Sequence, residues 1–136
     1  MFSHQLKFRV LYSDTDKMGY MYYGRYAKYL EMGRVEALRS LGLSYLEMEE
    51  SGFIMPVLEL KTKYVKPLFY DDEVTLRTKI SSRPNTRIYF EYEILNPKGE
   101  VATIAETTLV FVDGNTGKPC PAPEEFRRKI SVFFDK

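Results

Sequence analysis

Along residues 5–12, "QLKFRVLY", apolar and polar positions alternate and place Leu6, Phe8, Val10 and Tyr12 on one side of a half-buried strand. From residue 24 the period changes. In "GRYAKYLEMGRVEALRSL" a step of roughly 100° per residue stacks Tyr26, Leu30, Gly33, Ala37 and Leu41 in one stripe, with Arg25, Lys28, Glu36 and Arg39 opposite. This predicts a long helix over 24–41, and the small residues Gly33 and Ala37 let it lie close to a sheet. Arg34 edges the apolar arc one turn after Glu31, the spacing of a structural ion pair. Gly42 supplies a helix stop, and Ser44 with Glu47 reads as a capping box opening a short helix that ends near Gly52.

Alternation then returns. "FIMPVLELKTKYVKP" predicts a long strand with Pro56 as a bend or edge position. "EVTLRTKIS" alternates Val74, Leu76, Thr78 and Ile80, and "RIYFEYEIL" alternates Ile88, Phe90, Tyr92 and Ile94. After a turn at "NPKGE", the β-branched run "EVATIAETTLVFVD" predicts a last long strand, and residues 123–134 form a basic and apolar tail with the look of a short helix. Tight turns between the late strands imply an antiparallel sheet, and helices gathered early imply α+β rather than alternating α/β. The expectation is one domain over 1–136: about five antiparallel strands curled around one long helix. Such a half-covered layer leaves an edge and a face that favour self-association to a dimer or higher.

Composition narrows the chemistry. Twenty basic against nineteen acidic residues give a formal charge of +1, so no global field favours nucleic acid. No apolar run reaches the roughly eighteen residues of a membrane span, and "MFSHQLKFRV" is too polar for a signal peptide. One cysteine, Cys120, fits a reducing cytoplasm, the expected location. A single histidine, His4, near the terminus speaks against Ser-His-Asp and Cys-His mechanisms and against a zinc site of several His or Cys ligands. "VDGNTGKP" lacks the spacing and hydroxyl residue of a phosphate-binding loop and reads as a turn. Polar chemistry here rests on carboxylates, hydroxyls and backbone amides.

The densest candidate is the strand-to-helix junction, "YSDTDKMGYMYYGRY", which carries Asp14, Asp16, Gly19 and five tyrosines. Aspartates there serve as turn and cap residues in any protein, and the tyrosines serve as core or interface. This segment, the "YLEMGR" after it, "YVKPLFYDDEV" farther on and the order of elements together resemble the hotdog-fold thioesterases of the 4-hydroxybenzoyl-CoA thioesterase and YbgC-like group. The resemblance spans Leu6 to about Asp113. It implies that Asp16, three residues before Gly19, is the catalytic carboxylate, and that Asp14 matches a weaker acidic position. It implies that the backbone amide polarising the thioester carbonyl is that of Tyr23, where many YbgC-like members carry His. Tyr20, Met21 and Tyr22 then become candidate walls for the acyl group.

The resemblance implies a thioester of coenzyme A as substrate, CoA being part of the substrate rather than a cofactor, with neither metal nor redox cofactor, and protomers assembled as a dimer or tetramer. The alternatives are an ester of acyl carrier protein, hydrolysed by the same fold, and a hotdog module that binds acyl-CoA without catalysis. Either carrier is anionic, and phosphates seek Arg and Lys. Arg83 and Arg87 in "SSRPNTR" are the candidates, with Arg127, Arg128 and Lys129 in "FRRK" as further cations whose plain reading is a solvated surface.

Overall fold

A computed structural model describes residues 1–135 of the chain. Strand β1 (Phe2–Arg9) is followed by helix α1 (Tyr26–Ser40) and helix α2 (Tyr45–Glu50). Then come β2 (Phe53–Ile54), β3 (Val57–Tyr64), β4 (Glu73–Ile80), β5 (Arg87–Leu95), β6 (Val101–Val110), β7 (Val112–Asp113) and helix α3 (Glu124–Ser131). Five strands form one antiparallel sheet in the order β1-β4-β5-β6-β3, while β2 and β7 pair separately. This is the α+β hotdog arrangement expected from the periodicity and the resemblance.

The apolar stripe explains the packing. Tyr26, Leu30, Gly33 and Ala37 are buried beneath α1, against inward side chains of β1 and β4. The approach is close at Gly33: a Cβ there would stand 2.7 Å from Leu76 Cδ2 and 2.8 Å from Thr78 Oγ1. Ser44 caps α2, its Oγ accepting the Glu47 N–H at 3.3 Å. Phe126 and Ile130 of α3 are buried, and Phe126 meets Phe111 edge to face.

Four expectations are corrected. The first strand spans residues 2–9 rather than 5–12: Val10 N–H donates to Asp72 O at 3.0 Å, and Tyr12 stands exposed instead of facing inward. The strand expected over 100–113 is broken at Phe111, whose N–H donates to Thr86 O at 2.8 Å, and residues 112–113 change partners to β2. The long strand expected from Phe53 is split at Met55 and Pro56, the position of the expected proline bend. Arg34 forms no ion pair with Glu31. It is buried, and its Nη1 donates to Tyr92 Oη at the long distance of 3.5 Å, with no carboxylate within ion-pair range among the described residues.

Helix α1 leaves much of the edge strand β3 uncovered. On the edge strand β3, Leu58, Leu60 and Tyr64 are 53%, 46% and 47% exposed. Leu60 and Tyr64 pair with Thr107 and Thr103 of β6, both buried, so they share the helix-side face.

Candidate active site

Residues 10–22 form a loop tied down at both ends. Residues Tyr12–Asp14 make one 3-10 turn, and Thr15 bridges to Met21. Asp16 N–H donates to Tyr20 O at 2.9 Å and Gly19 N–H to Asp16 O at 3.0 Å, closing a turn in which Gly19 takes φ +80°. Glycine is needed there, since other residues rarely hold that backbone angle. The turn is pinned to residues 67–72: Tyr20 bridges Phe69, and Met21 N–H donates to Leu68 O at 2.7 Å.

The Asp16 carboxylate is half-buried at the crest of this turn. Its Oδ1 accepts the Met18 N–H at 2.9 Å and the Tyr20 N–H at 3.2 Å. Oδ2 accepts no hydrogen bond among the described residues, so it can act on a ligand. Asp14 is the contrary case. It is 1% exposed, and its carboxylate accepts Lys28 Nζ at 2.9 Å, Leu11 N–H at 3.3 Å and the Tyr29 hydroxyl. Burial opposes its ionisation, but the bonds from Tyr29, Lys28 and Leu11 outweigh it and hold the pKa below the ordinary carboxylate value. The same environment, burial first and the Asp14 contact second, pushes the Tyr29 phenol far up.

The helix opening lies beside Asp16. Residues Tyr23–Arg25 form a 3-10 turn that runs directly into α1, and no side chain caps it. The Arg25 N–H donates to Tyr22 O at 2.9 Å, whereas the Tyr23 and Gly24 N–H groups have no acceptor among the described residues. These are the unsatisfied donors at the positive end of a helix dipole. Asp16, Met18, Tyr20, Met21, Tyr23, Tyr26, Tyr64, Val65, Lys66 and Pro67 together line a groove of about 290 Å³. Tyr26 meets the Tyr64 ring edge to face at 4.8 Å, and burial raises its phenol pKa, so the hydroxyl stays protonated.

Of the residues singled out from the sequence, the groove brings together Asp16, Tyr20, Met21 and Tyr23. Tyr22 does not line it. Its ring lies over the helix opening instead, so that a Cβ on Gly24 would stand 2.5 Å from Tyr22 Cε2. Gly19 borders a neighbouring depression with Tyr12, Thr15, Asp16, Lys17 and Tyr70. Arg83 and Arg87 are not near Asp16 within one chain. The pairing of Phe8 with Val74 and of Phe2 with Ile80 sets the loop 10–22 at one end of the sheet and the hairpin 81–86 at the other. Arg83 there pairs with Asp135. Lys129 is engaged as well, with Gly42 O at 2.8 Å and Glu125 at 3.0 Å. Helical periodicity places Tyr26 only in the core stripe, and no sequence signal gives Tyr64 to Pro67 a role, although "YVKP" is part of the resemblance; the groove adds all five.

Comparison with known proteins bears on what this groove does. The family described as Thioesterase-like superfamily matches residues 10–130. The crystal structure of the DHNA-CoA thioesterase of Staphylococcus aureus is 34% identical and superposes with a TM-score of 0.93, covering 98% of this chain and 92% of that one. The acyl-CoA thioester hydrolase YbgC of Escherichia coli is 30% identical over 116 residues, 85% of this chain and 87% of its own. The chloroplastic acyl-acyl carrier protein thioesterase ATL3 of Arabidopsis thaliana is 30% identical over 132 residues, 96% of this chain and 69% of its own.

Proposed function

The chain belongs to the thioesterase-like superfamily and is a thioester hydrolase; from that premise we propose that it hydrolyses acyl-CoA, with Asp16 as the reacting carboxylate and the Tyr23 and Gly24 amides as the oxyanion donors. The observation that carries this reading is the shared groove: a carboxylate with one free oxygen and an uncapped helix opening line the same cleft. A thioester carbonyl lodged there meets N–H groups that strengthen as its oxygen gains charge, an effect worth roughly 10²–10³-fold in rate per donor.

Two routes fit Asp16. Its Oδ2 attacks the carbonyl carbon, the C–S bond breaks, CoA leaves as a thiolate that takes a proton from water, and a second water opens the acyl anhydride to the acid and Asp16. Alternatively the carboxylate takes a proton from a water that attacks the same carbon, and that proton leaves with the thiol. The reading calls on no metal or redox cofactor.

The partner in this reading is a second copy of the chain. The exposed apolar side chains of β3 and its unpaired edge support a dimer in which β3 lies antiparallel to the same strand of its partner. Antiparallel pairing sets the partner's far end beside this chain's near end. Arg83 and Arg87 of one protomer thereby approach the Asp16 groove of the other, where CoA phosphates need cations.

The ester of acyl carrier protein is the second reading, favoured by the likeness to ATL3. Release of free thiol from short, long and aromatic acyl-CoA esters, run beside the same acyl groups on carrier protein, separates the two. Turnover confined to carrier-protein esters would overturn the CoA assignment, and no turnover on either would favour a binding module.

A further inference from the structure

The proposed chemistry needs two parts of the chain held in fixed register: the loop that carries Asp16, and the helix opening that carries the Tyr23 and Gly24 amides. They lie on separate elements, and the groove between them is open. A single residue joins both. Asp14 stands two positions before Asp16, and its backbone carbonyl accepts the Tyr22 N–H at 2.7 Å, one residue before the first oxyanion donor. Its carboxylate turns the other way, into the protein, and accepts the Tyr29 hydroxyl from the first turn of α1. Tyr29 is buried, with its ring stacked on Phe8 of β1 at 4.1 Å and 8°. Asp14 is therefore fastened to the helix by its side chain and to the helix entry by its main chain.

A turn residue has no use for such an arrangement. Asp16 closes its turn with local N–H bonds alone, whereas Asp14 carries a charge 99% out of solvent to meet a tyrosine fifteen positions away. Burying a carboxylate is costly unless its donors are complete, and here three donors converge on it.

We propose that Asp14 and Tyr29 form a clamp that positions the Asp16 carboxylate against the Tyr23 and Gly24 amides. Both are positioning residues. Neither touches the substrate, and each acts through Asp16 and the helix opening. The inference rests on the reading of Asp16 given above, and it adds two residues to that site which carry no chemistry themselves. A small displacement of a reacting group lowers turnover steeply, by up to about 10²-fold for 1 Å.

Tyr29→Phe is the sharp probe, since it removes one oxygen and keeps the ring on Phe8. Four proteins are compared: wild type, Tyr29→Phe, Asp16→Asn and the double variant, each assayed for kcat and KM on the best acyl-CoA ester. The clamp predicts that Tyr29→Phe lowers kcat about tenfold with KM within about twofold. In the Asp16→Asn background the same change costs less than about twofold, because the carboxylate it positioned is gone. An equal loss in both backgrounds would mark a general folding defect and overturn the clamp, as would an unchanged kcat or an effect confined to KM. If Asp16→Asn itself turns over normally, the catalytic reading falls and takes the clamp with it. If Asp16→Asn is slow and Tyr29→Phe is not, the clamp alone is refuted.

Discussion

Replacing Asp14 by Asn gives a stability change whose size and pH dependence both follow from the contacts. The carboxylate is 1% exposed and accepts a tyrosine hydroxyl, a lysine ammonium and a backbone N–H. A hydrogen bond to a buried charge contributes about 1.5–3 kcal/mol net. Lys28 is 54% exposed, so its share is that of a screened pair, about 0.5 kcal/mol. Asn keeps one acceptor oxygen but turns an NH₂ toward a second donor, so the expected loss is about 2 kcal/mol. At 3–4 °C per kcal/mol for a chain of this size, the melting temperature at pH 7 falls by roughly 7 °C.

The folded pKa of Asp14 is depressed. Its stabilisation is therefore fully present above the unfolded value of about 3.9 and is lost as pH falls through the lower folded value. Melting curves of both proteins between pH 7 and pH 2.5 test this directly. The gap between them should be constant from pH 7 down to about 5 and narrow below 4. No gap at pH 7, or a gap that widens toward acid, would refute the assignment of Asp14 as a buried, ionised anchor.

Other perturbations follow the same logic. Gly33→Ala gains about 1 kcal/mol of helix propensity but drives a Cβ into Leu76 and Thr78, at a cost of about 1–3 kcal/mol; urea melts should show a net loss near 1 kcal/mol, and a gain would mean α1 sits farther from the sheet. Leu60→Lys puts a charge on the exposed face of β3 and should shift light scattering toward monomer with a parallel loss of turnover; a fully active monomer would end the dimer proposal. Arg87→Ala should raise KM for CoA esters about threefold to tenfold, leave kcat unchanged, and leave esters lacking the nucleotide unaffected; an equal effect on both esters would point to folding damage.

The order and type of the elements were legible because their periods are unambiguous. The stripe from Tyr26 to Ala37 and the alternation through Val74 to Ile80 each commit to one face. Strand limits were less legible where loops supply the pairing. Val10 continues the alternation of β1, but its N–H is taken by Asp72, a residue far along the chain. In the junction, Gly19 and Asp16 carry local signals, a positive φ and a side chain bonded two and four residues ahead. Asp14 reads from the sequence as one more turn residue, yet its side chain bonds back to Leu11 and across to Lys28 and Tyr29. Its difference lies in Tyr29, which falls outside the stripe that helical periodicity picks out. Arg34 misled for a similar reason: spacing offered Glu31, while the sheet brought Tyr92 beneath it.

The central claim is that Asp16 is the group that reacts, and single-turnover hydrolysis by Asp16→Asn tests it most directly. Asn keeps the size of the side chain and an oxygen to accept the Met18 and Tyr20 N–H bonds, yet it is a poor base and a poor nucleophile. With enzyme in excess over the best acyl-CoA ester, free thiol should appear about 10²–10⁴-fold more slowly than in wild type, while melting temperature and substrate affinity are kept. A single-turnover rate within a few-fold of wild type would contradict the account.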